Sequence, residues 1–353
     1  MKHKNWIIGI GIAAILLLSA CNVTTGTPNS DEKTYKLKVG YLQANGAPLA
    51  DIAVDEGFFE KEHLKVELIP FSASTDGLNA LQSKKIDIGL TFGTSGPLAF
   101  ISQGSDFDII GGHMEGGHPI VVKEGNKSKY KSLQDYKGKK IGTVRLGTPD
   151  IVFKAALQES GINIEKDVTF IDFKSVTAVL EAVASGKVDV GVSGTGHLSK
   201  AEKIGLTPVL WSNDINPKHV CCRVTVRGAS TEEQAVAYKK FLKGLIQAER
   251  IKLESPEKAL KATKVHFKLD DKTVNEIVNE PHLHNTADPN KKEVVKMWEQ
   301  MKNLGYVKNG EKIDINKHFN LSFYEQALNE LIKEHPNDDY YKKQLENYKK
   351  QNT

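Results

Sequence analysis

The sequence predicts an α/β protein of two similar βαβ lobes with a hinged cleft between them, and three observations lead there. "KKIDIGLTFG" at 84–93 returns as "GKVDVGVSGT" at 186–195, 102 positions on. The same offset lays "LKVGYLQANG" (37–46) over "KKIGTVRLGT" (139–148) and "LKVELIPF" (64–71) over "KDVTFIDF" (166–173). Helical patterns fill the gaps between these strand-like runs, and strand–helix–strand alternation builds a parallel sheet with covering helices.

The elements follow in order. "MKHKNWIIGIGIAAILLLSACN" opens with Lys2 and Lys4 and an apolar run over 6–18. A spanning helix needs about 20 residues, so this shorter run fits a secretory signal over 1–20. "LSAC" places small residues directly before Cys21, in the pattern of a lipidated cysteine that becomes the first residue after cleavage. Residues 21–35 are polar and rich in Thr, Ser and Pro, the composition of a flexible tether. The first unit then reads as strand (37–46), helix (48–62), strand (64–71), helix (74–85) and strand (84–93). The second repeats the pattern with helices at 149–161 and 175–187.

Parallel sheets present ligand sites beyond the carboxyl ends of their strands. Those ends are "QANGAP" (43–48), "TFGTSGP" (91–97), "RLGTPD" (145–150) and "SGTGHL" (193–198), each leading into a helix. Helix starts offer unpaired N–H groups and a positive dipole end, which favour an anion; each loop taken singly could be an ordinary cap. Two segments, 111–125 and 216–229, cross between the units and make a hinge. The expected bodies are a first lobe over 36–115 and 222–330 and a second over 116–221. A charged tail, a solvated helix or a frayed end, is expected over 331–353.

Composition bounds the partners. Lys and Arg number 48 against 44 Asp and Glu, and the balance falls from +4 to +2 once Lys2 and Lys4 leave with the signal. Nothing in so neutral a chain points to nucleic acid. Beside Cys21, the cysteines are the neighbours Cys221 and Cys222, which offer no disulfide framework.

These residues resemble the solute-binding proteins of ABC importers, in the branch that takes nitrate, taurine, alkanesulfonates and thiamine precursors. "APLADIAVDEGFFEKEHLKVELIPF", "ALQSKKIDIGLTFG", "YKGKKIGTVRLGTPD", "TAVLEAVASGKVDVGVSG" and "WEQMKNLGYV" carry the resemblance, over about residues 35–330. It implies a type II periplasmic-binding-protein fold and a monomeric body lipid-anchored on the extracytoplasmic face of the cell membrane. It also implies a permease and its ATPase subunits as partners and a small-molecule ligand; no cofactor is expected, and no Ser-His-Asp spacing, phosphate-cradling loop or paired-carboxylate motif points to an enzyme. Arg145 and Asp150 in "RLGTPD", and "HVCCR", depart from the pattern as it is found in simpler members.

The expected ligand residues are Gln43, Asn45, Phe92, Thr94, Ser95, His113, Glu115, Arg145, Thr148, Asp150, Thr195 and His197. Arg145 could hold an anionic group in two-point contact, with Asp150 completing a zwitterion site; it could equally pair with Asp150 or Glu115. Tyr41, Phe92 and Trp211 would stack a ring, which keeps an aromatic N-heterocycle open as ligand, or pack in the core. His113, His118, His197, His282 and His284 with the two cysteines raise a metal site, but no closed ligand spacing links them, and His113 and His118 are expected instead to hydrogen-bond a ligand or the hinge. An enzyme of related fold is the further alternative, although no catalytic spacing is present.

Overall fold

The computed structural model describes residues 33–266 and 270–353. The signal, Cys21 and the tether up to residue 32 lie outside the described residues.

The first repeat forms β1 (Tyr35–Leu42), α1 (Pro48–Asp55), α2 (Phe58–Lys61), β2 (Leu64–Phe71), α3 (Ser74–Gln82), β3 (Ile88–Gly89) and α4 (Ser95–Ser102). β4 (Phe107–Gly116) and β5 (Pro119–Lys123) carry the chain across to the second repeat. There follow β6 (Lys140–Thr143), α5 (Thr148–Glu159), β7 (Thr169–Asp172), α6 (Val176–Ser185), β8 (Val190–Val192), α7 (Leu198–Lys203), β9 (Leu206–Trp211) and α8 (Ser212–Ile215). β10 (Val220–Arg227) returns to the first lobe. The remainder is α9 (Glu232–Glu254), α10 (Pro256–His266), α11 (Asp271–Asn279), β11 (Leu283–His284), α12 (Lys291–Asn303), α13 (Ser322–Glu334) and α14 (Asp339–Asn352).

Two sheets result. The first has the order β11-β4-β10-β3-β1-β2 and the second β7-β6-β8-β5-β9. In each, the repeat supplies three parallel strands, and an antiparallel strand arriving from the crossing region pairs beside them, β10 on β3 and β5 on β8. The offset of 102 survives at the level of single bonds. The Lys38 amide donates to the Asp87 carboxylate at 2.9 Å, and the Lys140 amide to Asp189 at 2.8 Å. An aspartate thus pins the start of the first strand to the third in both lobes, which is why "KIDIG" and "KVDVG" share their acid.

The core of the first lobe packs α1 and α9 against β1; Phe59 stacks on Phe241 with ring centroids 5.3 Å apart. A second cluster runs from Leu78 and Phe92 through Met297 and Trp298 of α12 to Ile151 and Val152 of α5, so the two lobes share apolar contact. Separate clusters under α5 and α6 hold the second lobe. Between β4 and β5, Gly116 and Gly117 take φ of 70° and 80°. Any Cβ at Gly116 would meet the Asn213 side chain at 2.3 Å, so this crossing demands glycine.

Three expectations shift. The second sheet ends at Trp211, and Cys221, expected as the last residue of the second lobe, lies within β10 of the first sheet. The strand expected over 37–46 ends at Leu42, where Gly46 turns the chain at φ 68°. The charged tail is a docked helix: Tyr341, Tyr348 and Asn352 of α14 are buried, and Asn352 takes the Lys291 amide at 2.9 Å. Its charges lie on one face and its tyrosines on the other, a pattern that its high Lys content masks in the sequence. Among the described residues, no helix is long and apolar enough to cross a membrane.

Candidate functional site

A cavity of about 960 Å³ lies between the lobes. Its walls obey the repeat. The ends of β1 and β6 face each other (Leu42, Ala44 and Asn45 against 144–147), as do the entries to α3 and α6 (72–75 and 174–177). Gly93 and Ser95 oppose Thr195 and His197 in the same way, and β10 adds Cys221 and Cys222. The starts of α3, α4 and α5 carry no side-chain cap, so their N-terminal dipoles act on this space. The loop "SGTGHL" behaves differently. Glu276 of α11 takes the amides of Leu198 and Ser199 at 2.7 and 2.9 Å, which closes the start of α7 to any ligand.

The expected residues divide. Asn45, Ser95, Arg145, Thr148, Thr195 and His197 all line the cavity. Ser95 Oγ donates to the Leu146 carbonyl at 2.8 Å, and the Thr94 amide donates to Thr148 Oγ1 at 3.2 Å, so these residues also tie lobe to lobe. Thr94 Oγ1 donates to the Cys221 carbonyl at 3.0 Å from behind the wall. Arg145 stands at the rim with a side chain 62% exposed, 3.9 Å from Asp172 and over the Tyr306 ring. Its partner is therefore neither Asp150 nor Glu115.

Five expected residues do other work. Gln43 is exposed and off the cavity wall; only its amide is engaged, with the Phe71 carbonyl. Phe92 touches the cavity but its ring is buried in a slot made by Gly40, Gly77 and Gly89, edge-on to Phe71. His113 is buried in β4, away from the cavity. Glu115 holds Arg223 Nη2 at 3.4 Å and Asn290 Nδ2 at 2.9 Å, a brace for the crossing strands. Asp150 is spent: it accepts from Thr143 Oγ1 (3.0 Å), the Leu146 amide (3.1 Å), Lys154 Nζ (2.7 Å) and the Tyr306 hydroxyl (3.3 Å). The aromatic platform also dissolves, since Trp211 stacks on His282 with centroids 4.0 Å apart and Tyr41 packs against the first core.

The model of the NMT1-like family matches residues 30–266, about two thirds of the chain. The chain belongs to the NMT1-like family. A Bacillus subtilis protein whose provisional name is aliphatic sulfonates-binding protein is 25% identical over 328 residues, covering 90% of this chain and 96% of its own. Two solved structures share the fold. The periplasmic aliphatic sulphonate binding protein SsuA of Escherichia coli superposes with a TM-score of 0.67 at 18% identity, covering 81% of this chain and 92% of its own. The periplasmic nitrate-binding protein NrtA of Synechocystis PCC 6803 gives 0.69 at 14%, covering 85% and 89%. The fold is that of the periplasmic binding proteins.

This NMT1-like cleft holds groups absent from the expected set. Thr91 and Ser193 occupy equivalent positions of the repeat. Thr91 Oγ1 is consumed by the Leu42 amide at 2.8 Å, whereas Ser193 Oγ, fully buried on the cavity wall, has no partner among the described residues. His118 also faces the cavity, 2% exposed, with both ring nitrogens unpartnered among the described residues. Burial holds the His118 imidazole well below its ordinary range, and the nearby His219 adds to this. Burial likewise lowers His197 to about 4. Both rings are therefore neutral near pH 7, each with one N–H to donate and one nitrogen to accept. The sequence offered His118 as a hydrogen-bonding group for a ligand or the hinge, from its place in a crossing segment; nothing in the sequence distinguished Ser193 from Thr91.

Charge follows. Arg145 and Lys174 line the cavity as exposed cations, while the lining carboxylate, Asp150, is neutralised by Lys154. Among the described residues, no three His, Cys, Asp or Glu side chains converge as a metal site would need.

Proposed function

We propose that this chain is the extracytoplasmic solute-binding lipoprotein of an ABC-type importer, anchored through Cys21 and acting as a monomer. It takes a small organic anion or zwitterion of the sulfonate, taurine or nitrate kind into the cleft. The lobes close, and the closed form delivers its solute to a permease served by ATPase subunits. Its work is binding rather than catalysis.

One observation carries this reading: the cleft pairs two rim cations with buried hydrogen-bonding groups that have no partner among the described residues. A buried polar group without a partner costs about 1–3 kcal/mol, a cost removed when a ligand supplies the partner. Ser193 and His118 are such groups, and uncapped helix starts add positive potential beside them. The family match and the sulfonate- and nitrate-binding proteins of the same fold agree with it.

A thermal-shift screen against sulfonates, taurine, nitrate, phosphonates, thiamine precursors and divalent metals tests it. A ligand at 100 times its Kd stabilises by about 2.7 kcal/mol. Ser193→Ala should abolish the shift while leaving the ligand-free midpoint unchanged or higher, because the hydroxyl has nothing to lose in the protein. Arg145→Ala should weaken it. A shift only with metals or with uncharged rings, or one insensitive to Ser193, would overturn the proposal. Cys21→Ala should free the protein from membranes without altering binding.

A further inference from the structure

Successive side chains of a regular strand point to opposite faces, so neighbouring cysteines should not meet. In β10 they do. The register against β4 shifts on both sides of Cys222, a bulge that turns both side chains towards the cavity. The two Sγ atoms lie 3.3 Å apart and both are free thiols.

The peptide joining them is also where the two lobes meet the strand. Thr94 Oγ1 of the first lobe and Thr148 Oγ1 of the second donate to the Cys221 carbonyl at 3.0 and 3.2 Å. Asn45 Nδ2 stands 3.8 Å from Cys222 Sγ. The thiols are unequal. The contact between the two sulfurs lowers the Cys222 thiol below its ordinary range, helped by the Gly93 N–H, and the same contact with burial pushes Cys221 well above it.

We propose that Cys221 and Cys222 form a reversible dithiol–disulfide couple in the cleft wall, oxidised by low-molecular-weight disulfides, and that ring closure loosens the grip of both lobes on β10. The Cys222 thiolate attacks one sulfur of the small disulfide. That S–S bond breaks, and one thiolate leaves, taking up the proton that Cys222 released. Cys221, deprotonated in turn, attacks the Cys222 sulfur of the mixed disulfide and expels the second small thiol. Two protein thiols are oxidised, and one small disulfide is reduced to two thiols. Neighbouring Cα atoms lie about 3.8 Å apart, short of the roughly 4.4–6.8 Å usual for a disulfide, so the ring is strained and readily reduced. That strain suits a switch and not a structural staple. Closing the sulfurs from 3.3 Å to bonding distance turns the intervening peptide, whose carbonyl holds Thr94 and Thr148. The couple does not depend on which solute the cleft takes.

The test uses the full-length chain in graded ratios of oxidised to reduced glutathione, quenched by alkylation and mapped by peptide mass. The expected product is a peptide lacking two hydrogens at Cys221–Cys222, restored fully by reduced glutathione. Hydrogen exchange at the Thr94 amide, which donates to Thr148 Oγ1, should quicken at least tenfold in the oxidised form. Cys221→Ser should stop at a mixed disulfide on Cys222. Absence of the intramolecular bond in a folded chain, or its formation with Thr94 exchange unchanged, would overturn the proposal. So would a Cys222→Ser chain that forms the mixed disulfide at the wild-type rate.

Discussion

Asp150→Asn separates a ligand residue from a structural one. Lys154 is nearly inaccessible, its side chain 7% exposed, and Asp150 Oδ1 sits 2.7 Å from its ammonium. Burial alone would lower the lysine's pKa; Asp150 and the Tyr306 hydroxyl outweigh it and hold it above the ordinary value. The asparagine keeps size and one acceptor but leaves a buried ammonium without its counter-charge, beside the Tyr306 hydroxyl at 2.7 Å and the Phe170 ring at 4.5 Å. Removing one partner of a buried pair costs about 3–5 kcal/mol. At about 2 °C per kcal/mol for a chain this large, the midpoint should fall by about 6–10 °C. Differential scanning fluorimetry without ligand reads it. Asp150→Asn/Lys154→Met should recover most of the loss, because an apolar stem replaces the stranded charge, and the double-mutant cycle then reports the pair. A single variant with an unchanged midpoint that abolishes ligand binding would refute this reasoning and return Asp150 to the ligand.

Three further outcomes are expected. Burial lowers His113 to about 3 and His197 and His219 to about 4; the unfolded chain protonates them near 6.5, so between those values it binds more protons and stability falls as pH falls. Each histidine should cost about 1.4 kcal/mol per pH unit across that window, read by urea titrations from pH 7 to 4; a flat profile would count against their burial as neutral rings. Glu276→Ala removes the carboxylate that joins α11 to the start of α7, and exchange of the Leu198 and Ser199 amides should quicken at least tenfold, with Glu276→Gln intermediate; unchanged exchange would show that the contact does not hold the lobes. Gly77→Ala gains about 1 kcal/mol of helix propensity, yet its Cβ would lie 2.0 Å from Phe92 Cζ. The net should be a loss of about 1–3 kcal/mol from overpacking, relieved in Gly77→Ala/Phe92→Leu, with chemical denaturation as the measure; equal stability of wild type and single variant would contradict the packing described.

By itself the sequence determined the doubled βαβ design with its parallel strands, and four of the loops that face the cleft; the entries to α3 and α6 join them only in the folded chain. The design and its strands depend on local period and on an offset that an unbroken repeat keeps: Asp87 and Asp189 make the same bond because each lies 49 residues after the strand start that it pins. Tertiary structure decided which side chains are free. Thr91 and Ser193 are chemically alike in the sequence, and only the end of β1, by delivering the Leu42 amide to Thr91 alone, makes one silent and the other available. Asp150 looked like a ligand group until Lys154 and Tyr306, the latter 156 residues away, closed on it. Glu276 likewise reaches α7 from 78 residues downstream. Strand and helix follow from neighbours along the chain, whereas the availability of a hydrogen bond depends on partners that only folding brings within 3 Å or so.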